Sequence, residues 1–270
     1  MSSSGQDITR QATPARMYDY YLGGVHNFPA DREAAERVIA QFPLARAAAQ
    51  ANRAFLRRAV RHVVQAGVRQ LLDVGSGIPT VGNVHEVAQG IAPESRVVYV
   101  DIDPVAVAES LEILDGNPNA TAIRGDLVDP QAILDHQAVR NLIDFDQPVG
   151  LVLAAVLHFV ADDAQAFDAV AHLLKPMPAG SYLVLSHGAA ETYLPDTEQA
   201  KTAGDVYKQR AATAGAVRTR SDVARFFTGF ELVDPGVAWV TEWHPDGEVQ
   251  PEFAGHPERC GVWGAVGRKL

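Results

Sequence analysis

Between Gln70 and His187 the chain switches repeatedly between short apolar runs and helical stretches, and that alternation limits its fold more than any other feature. QLLDVG, VVYVD, ATAIRGD, GLVLAAV and SYLVLSH have the length and apolar content of strands. The segments between them, Val81–Gly90, PVAVAESLEIL, DPQAILDHQAV and DDAQAFDAVAHLL, read as helices. Strands with no wet face, each followed by a helix, predict βαβ units around a parallel sheet covered on both sides.

The flanks differ. Residues 1–13 are rich in Ser, Thr and Gln and read as a disordered tail. Residues 14–66 predict three helices forming a cap: PARMYDYYLGG, stopped by Gly23 and Gly24; DREAAERVIAQF, with Asp31 as its cap; and Ala45–Ala66. On the third, Arg53, Arg57, Arg58 and Arg61 are expected to form a solvated face. The main domain is then 67–270, with a polar, partly helical insertion at about 190–216. Ser221 is the expected cap of SDVARFF, and FELVDPGVAWV and GVWGAVGRKL are late strands placed to pair as an antiparallel hairpin.

Composition removes several function classes. A net charge of −10 disfavours a nucleic-acid surface. The single cysteine, Cys260, forms no intrachain disulfide or cysteine-based zinc cluster and suggests a reducing compartment. Met1 to Pro14 has no apolar core of the kind a signal peptide needs, and no apolar run is long enough to span a membrane, so a soluble cytoplasmic protein is expected. The nine histidines show no metal-ligand spacing, so no metal is expected.

The chemistry concentrates at strand ends. Asp73-Val74-Gly75-Ser76-Gly77 is a strand running into a Gly-x-Gly turn, where glycines permit positive φ and close approach of a ligand. Asp101 closes the next strand about 24 residues after Gly77, a spacing suited to an acid that accepts from ribose hydroxyls. Asp126 closes the third, where it can accept from the adenine amine, with Ile102 and Leu127 sandwiching the ring. These ordered acids point to an adenosine site. Thr80 occupies the place of the third glycine of a dinucleotide fingerprint and no P-loop lysine follows, so a nicotinamide-dependent oxidoreductase is the weaker alternative. Asp73 would repel a pyrophosphate and suits a cationic amino group.

With these motifs in view, Asp73–Gly77, VDID at Val100–Asp103 and Gly125-Asp126 resemble the class I S-adenosylmethionine-dependent methyltransferases. ARMYDYYLGGVHNFPADREAAE, NRAFLRRAV and FFTGFELVDPGVAWVTEW make the chain most similar to the family 19 S-adenosyl methyltransferases, from about Pro14 to the C-terminus. The resemblance implies a Rossmann-like α/β fold: a seven-stranded, mostly parallel sheet with helices on both faces, an antiparallel C-terminal hairpin and extra N-terminal helices. It implies S-adenosyl-L-methionine as cofactor, with Gly75, Ser76 and Gly77 lining it, Asp101 and Ile102 on the ribose, Asp126 and Leu127 on the adenine, and Ala155 and Val156 bordering the methionine part.

The aromatic segment from Met17 to Phe28, with Tyr18, Tyr21 and Asn27, is a candidate lid over the sulfonium; an ordinary helix packing its tyrosines on the domain is the competing reading. His158, after the fourth strand, is the candidate general base, with Tyr18 a second catalytic candidate and His26, His85 and His187 behind. Tyr207 and Arg210 on the insertion are candidates for the acceptor side. The expected function is transfer of a methyl group to a small molecule; a catalytically silent cofactor-binding regulator is the alternative from another class. The sequence leaves the oligomeric state open.

Overall fold

The computed structural model describes residues 9–79, 82–193, 216–247 and 250–270. Thr80, Tyr207, Arg210, most of the 190–216 insertion and residues 1–8 of the expected tail lie outside these. Three helices come first: α1 (Pro14–Tyr21), α2 (Pro29–Gln41) and α3 (Ala45–Gln65). The alternating region follows as β1 (Gln70–Val74), α4 (Val84–Ile91), β2 (Arg96–Asp101), α5 (Pro104–Ile113), β3 (Ala120–Arg124), α6 (Pro130–Asp135), α7 (Gln137–Leu142), β4 (Gly150–Ala154), α8 (Asp163–Leu174) and β5 (Tyr182–Gly188). The chain closes with α9 (Arg220–Arg225), β6 (Phe230–Leu232), β7 (Ala238–Trp239) and β8 (Val262–Lys269).

The strands form one sheet in the order β3-β2-β1-β4-β5-β8-β6, with β7 also paired to β8. β1 to β5 are mutually parallel, and β8 is antiparallel to β5, β6 and β7. Every residue of β1 is buried, since apolar layers cover both faces. One layer joins Leu72, Val74, Leu153 and Leu185 to α8 and α9; the other joins Leu71, Tyr99, Val152 and Val184 to α3 and α4. The strand order reverses between β1 and β4, so a crevice opens at their C-terminal ends, where open α/β sheets bind ligands.

Local chemistry shifts several expected boundaries. Phe28, not Asp31, precedes α2; the Asp31 carboxylate instead accepts from the Phe28 N–H at 2.8 Å and the Thr13 N–H at 2.9 Å. Thr13 therefore belongs to the folded body rather than to a tail. Thr219, not Ser221, caps α9, its hydroxyl accepting from the Asp222 N–H. The expected strand FELVDPGVAWV splits into β6 and β7, because Pro235 offers no N–H and a turn closes from Gly236 to the Val233 carbonyl at 2.8 Å. Both pieces still lie on β8, so the seven strand positions stand. Among the described residues, no helix is long and apolar enough to cross a membrane.

Candidate functional site

Four strand ends converge on the crevice. After β1 the backbone turns at Gly75, with φ of 75°, and a Cβ there would lie 2.1 Å from Val156 Cγ2. Only glycine fits, and the contact fastens the β1 turn to the loop after β4. Gly77 also has positive φ, but a Cβ there would meet nothing within 4 Å. Its free side faces open space.

The turn is stitched to β2. The Gly75 and Ser76 N–H groups donate to the Val100 carbonyl at 2.8 and 3.1 Å. The Gly77 and Asp103 N–H groups donate to the two Asp101 carboxylate oxygens at 2.7 and 2.9 Å. Burial raises the Asp101 pKa, opposed by those two backbone donors. The Gly125 N–H donates to the Asp101 carbonyl at 3.0 Å, which brings the β3 end alongside. Asp126 is half-buried there and accepts from Val128 N–H. Ile102 is 57% exposed, an unusual state for an isoleucine, whereas Leu127 packs into the apolar layer. At the β4 end Ala155 adopts φ of 55°, a left-handed conformation rare outside glycine, held by its N–H donating to Ser186 O and Oγ.

Asp73 points to the α3 face of the sheet, in register with Tyr99 on β2. It is buried with no hydrogen bond among the described residues, and burial pushes its carboxyl up to about 7, against the pull of the Arg53 charge and with a further push from Asp101. Above it lies Arg53, which the sequence placed on a solvated face. The structure corrects that expectation for two of the four arginines. Arg53 and Arg58 are buried because the N-terminal helices and the Val240–Trp243 segment pack on α3. Arg53 stacks under Tyr18, 5.8 Å from the ring centroid, and its Nε is enclosed without a partner among the described residues. The adjacent Asn52 has an equally orphaned Oδ1. The missed signal was Asn52, which sits on the stripe Leu56, Val60, Val64 that α3 buries; a polar residue on such a stripe invites explanation.

The candidate lid docks firmly. The Tyr18 hydroxyl donates to Ala49 O and accepts from Asn52 Nδ2, both at 3.0 Å. With its hydroxyl engaged on α3, Tyr18 presents its ring, rather than its phenol oxygen, towards Arg53. Asn27 is also used up: Nδ2 donates to Asp19 and Gly24, and Oδ1 accepts from Arg32. These bonds also brace the candidate lid from within. Tyr21 is half-buried, and burial raises its phenol to about 12. His26 pairs with Glu109 on α5 at 2.6 Å, and buried Arg16 pairs with Asp31 at 3.3 Å and Asp103 at 3.5 Å. The segment is thus anchored two residues from Asp101.

Across β4 lies a second buried cluster. Arg218 Nη1 donates to His187 Nε2 at 2.7 Å and to Leu157 O; Nη2 donates to Val160 O and pairs with Asp163 at 2.8 Å. His187 Nδ1 donates to Gly188 O at 2.9 Å. The His158 ring stands edge-on to His187, 5.8 Å between centroids, with Nδ1 enclosed and unpartnered among the described residues. Burial, then His187 and Arg218, hold His158 down at about 3, while burial holds His187 at about 4. Both rings are neutral at pH 7. His85 is engaged too, by the Tyr99 hydroxyl at 2.8 Å. Among the described residues no cluster of His, Cys, Asp and Glu could hold a metal ion.

Comparison with known proteins supplies the context. A family model described as S-adenosyl methyltransferase matches residues 2–270. A DUF574 family protein from Streptomyces avermitilis is 40% identical, with a TM-score of 0.87 over 97% of this chain and 99% of its own. A Thermobifida fusca protein described as a candidate methyltransferase is 36% identical, with a TM-score of 0.86 over 98% of this chain and 97% of its own. No curated protein matches.

Proposed function

The chain belongs to the S-adenosyl methyltransferase family, and from that premise we propose that it methylates a small molecule, holding its cofactor across the ends of β1, β2 and β3. Bound S-adenosylmethionine supplies an activated methyl group on a sulfonium. The observation that carries the placement is Asp101, a buried carboxylate fixed by Gly77 and Asp103 beside the glycine turn. Its remaining lone pairs suit ribose hydroxyls. Three further features support the fit: the open side of Gly77, the exposed Ile102 beside Asp126, and the buried Asp73 near an Arg53 whose Nε has no hydrogen-bond partner among the described residues, where the amino-acid end would lie. Gly75, Ser76, Ala155 and Val156 border that end, and Leu127 backs the adenine from within the core.

The chain's part in the reaction is mainly to place the acceptor in line and exclude water, which the docked α1–α2 segment and the Tyr18 ring favour. His158 enters as a neutral imidazole that accepts a hydrogen bond from the acceptor; Arg218 and His187 oppose a stored proton there. The acidic net charge supports a small acceptor over a nucleic acid. Buried Cys260 fits a reducing compartment, and we place the reaction in the cytoplasm on that ground. Incubation with methyl-labelled cofactor and a panel of metabolites tests the reading: label should move to a low-molecular-weight product. Transfer to tRNA or protein instead would overturn the acceptor class.

A further inference from the structure

We propose that the methyl acceptor is a planar aromatic molecule and that Phe159 is the platform on which its ring stacks. The inference rests on the small-molecule methyltransferase reading and adds the acceptor's class. Phe159 is 50% exposed, and it is the one exposed phenylalanine, tyrosine or tryptophan among the described side chains. A lone exposed apolar residue is ordinary on a protein surface. Its place in the fold is what makes this one informative.

Backbone geometry sets that place. After β4 the chain makes a 3₁₀ turn over Leu157–Phe159, the Phe159 N–H donating to Val156 O at 3.0 Å and the Val160 N–H to Leu157 O at 3.1 Å. In such a turn, side chains three residues apart eclipse one another. Leu157 and Val160 form one such pair, and both are buried in the apolar layer. Val156 and Phe159 form the other. Val156 is the side chain that closes on Gly75 at the β1 turn, so Phe159 stands beyond it, at the mouth of the crevice.

The turn is held as a platform needs to be. Arg218 donates to Leu157 O at 3.1 Å and to Val160 O at 3.0 Å, and the Ala216 N–H donates to His158 O at 2.6 Å. The His158 ring lies 4.3 Å from the Phe159 ring, tilted by 56°. An acceptor ring lying on Phe159 therefore brings its edge near the imidazole that takes the acceptor's hydrogen bond. Aromatic pairs in offset or edge-on contact gain more than their buried area alone supplies, and an aliphatic acceptor would forgo that gain. Ile102, the bare apolar side chain at the β2 end, is accounted for by the adenine; Phe159 lies across the β1–β4 break from it.

Transfer of labelled methyl into a low-molecular-weight cell extract tests this, with calorimetry of both cofactor forms beside it. The wild-type labelled product should show the near-ultraviolet absorbance of an aromatic ring. Phe159→Leu, apolar but without a ring, should lower transfer roughly 3- to 10-fold at limiting extract, and Phe159→Tyr should recover most of the loss. Both variants should bind S-adenosylmethionine and S-adenosylhomocysteine within about twofold of wild type, which also reports that they are folded. Weaker binding of S-adenosylmethionine alone would assign the ring to the sulfonium cation and overturn the platform. A labelled product without an aromatic ring, or full transfer by Phe159→Leu, would overturn it too. Absence of any labelled small product from the wild type would instead overturn the small-molecule reading beneath it.

Discussion

Two buried arginines flank the β1–β4 crevice, and their surroundings differ in kind. Arg218 is closed: its guanidinium reaches Leu157 O, Val160 O, His187 and Asp163, tying the β4 and β5 ends to the segment before α9. Arg53 is open: a Tyr18 ring above, an enclosed Nε with no partner among the described residues, and an acid nearby that it does not touch. A closed cluster is explained by the fold it holds together. An open one leaves polar atoms that nothing among the described residues engages, and these are where a ligand can bind.

The largest effect should come from breaking the closed side. Arg218→Met leaves two carbonyls, His187 and Asp163 without their donor and should cost roughly 3–5 kcal/mol of stability. Scanning calorimetry should show the thermal midpoint falling by about 6–20 °C. A fall under about 2 °C would mean that this cluster is not structural.

On the open side, pH is the lever. With its carboxyl near 7, Asp73 holds a proton in the folded protein through a window, from about 4 to 7, in which an ordinary aspartate has lost it. The folded state gains from that proton at acid pH, and the gain is lost as pH rises through 7. Binding runs the other way, since pairing with an ammonium requires the ionised carboxylate. Affinity for S-adenosylmethionine should fall roughly tenfold per unit as pH drops below 7 and level off above. Arg53 on α3, and Tyr99 and Asp101 on β2, act on the same carboxyl and set how sharp the break is. Asp73→Asn should flatten the dependence and raise the thermal midpoint at pH 7.5. A pH dependence surviving unchanged in that variant would remove Asp73 from the site.

The smallest effect is expected at His158. An imidazole near 3 is an acceptor rather than a proton store, so His158→Gln should lower kcat less than about fivefold, against the roughly 10²–10⁴ of a general base. Loss of a thousandfold, with an inflection near pH 6 in the wild-type rate profile, would restore the base.

What the sequence made legible is what chemistry writes locally. Asp73, Gly75, Gly77, Asp101 and Asp126 follow from strand ends and their spacing, and the structure gathers them at one crevice. Of the two side chains expected to sandwich an adenine, Ile102 is open but Leu127 is packed inside. Arg53, Arg58 and Arg218 were not legible in these roles. Whether an arginine on a helix faces water depends on what docks over it, and Trp243 meets Arg58 from 185 residues away. Likewise, the aromatic character of their segment could nominate Asn27 and Tyr18 for a lid, but only packing reveals what their polar atoms bond to.

The central claim is that the ends of β1, β2 and β3 grip one adenosyl group through Asp101. Titration calorimetry of the wild type and Asp101→Ala with S-adenosylmethionine measures it directly. One site is predicted, weakened by more than roughly tenfold in the variant, because ribose hydroxyls and the Gly77 N–H lose a charged acceptor together. Equal affinity in the two proteins would contradict it.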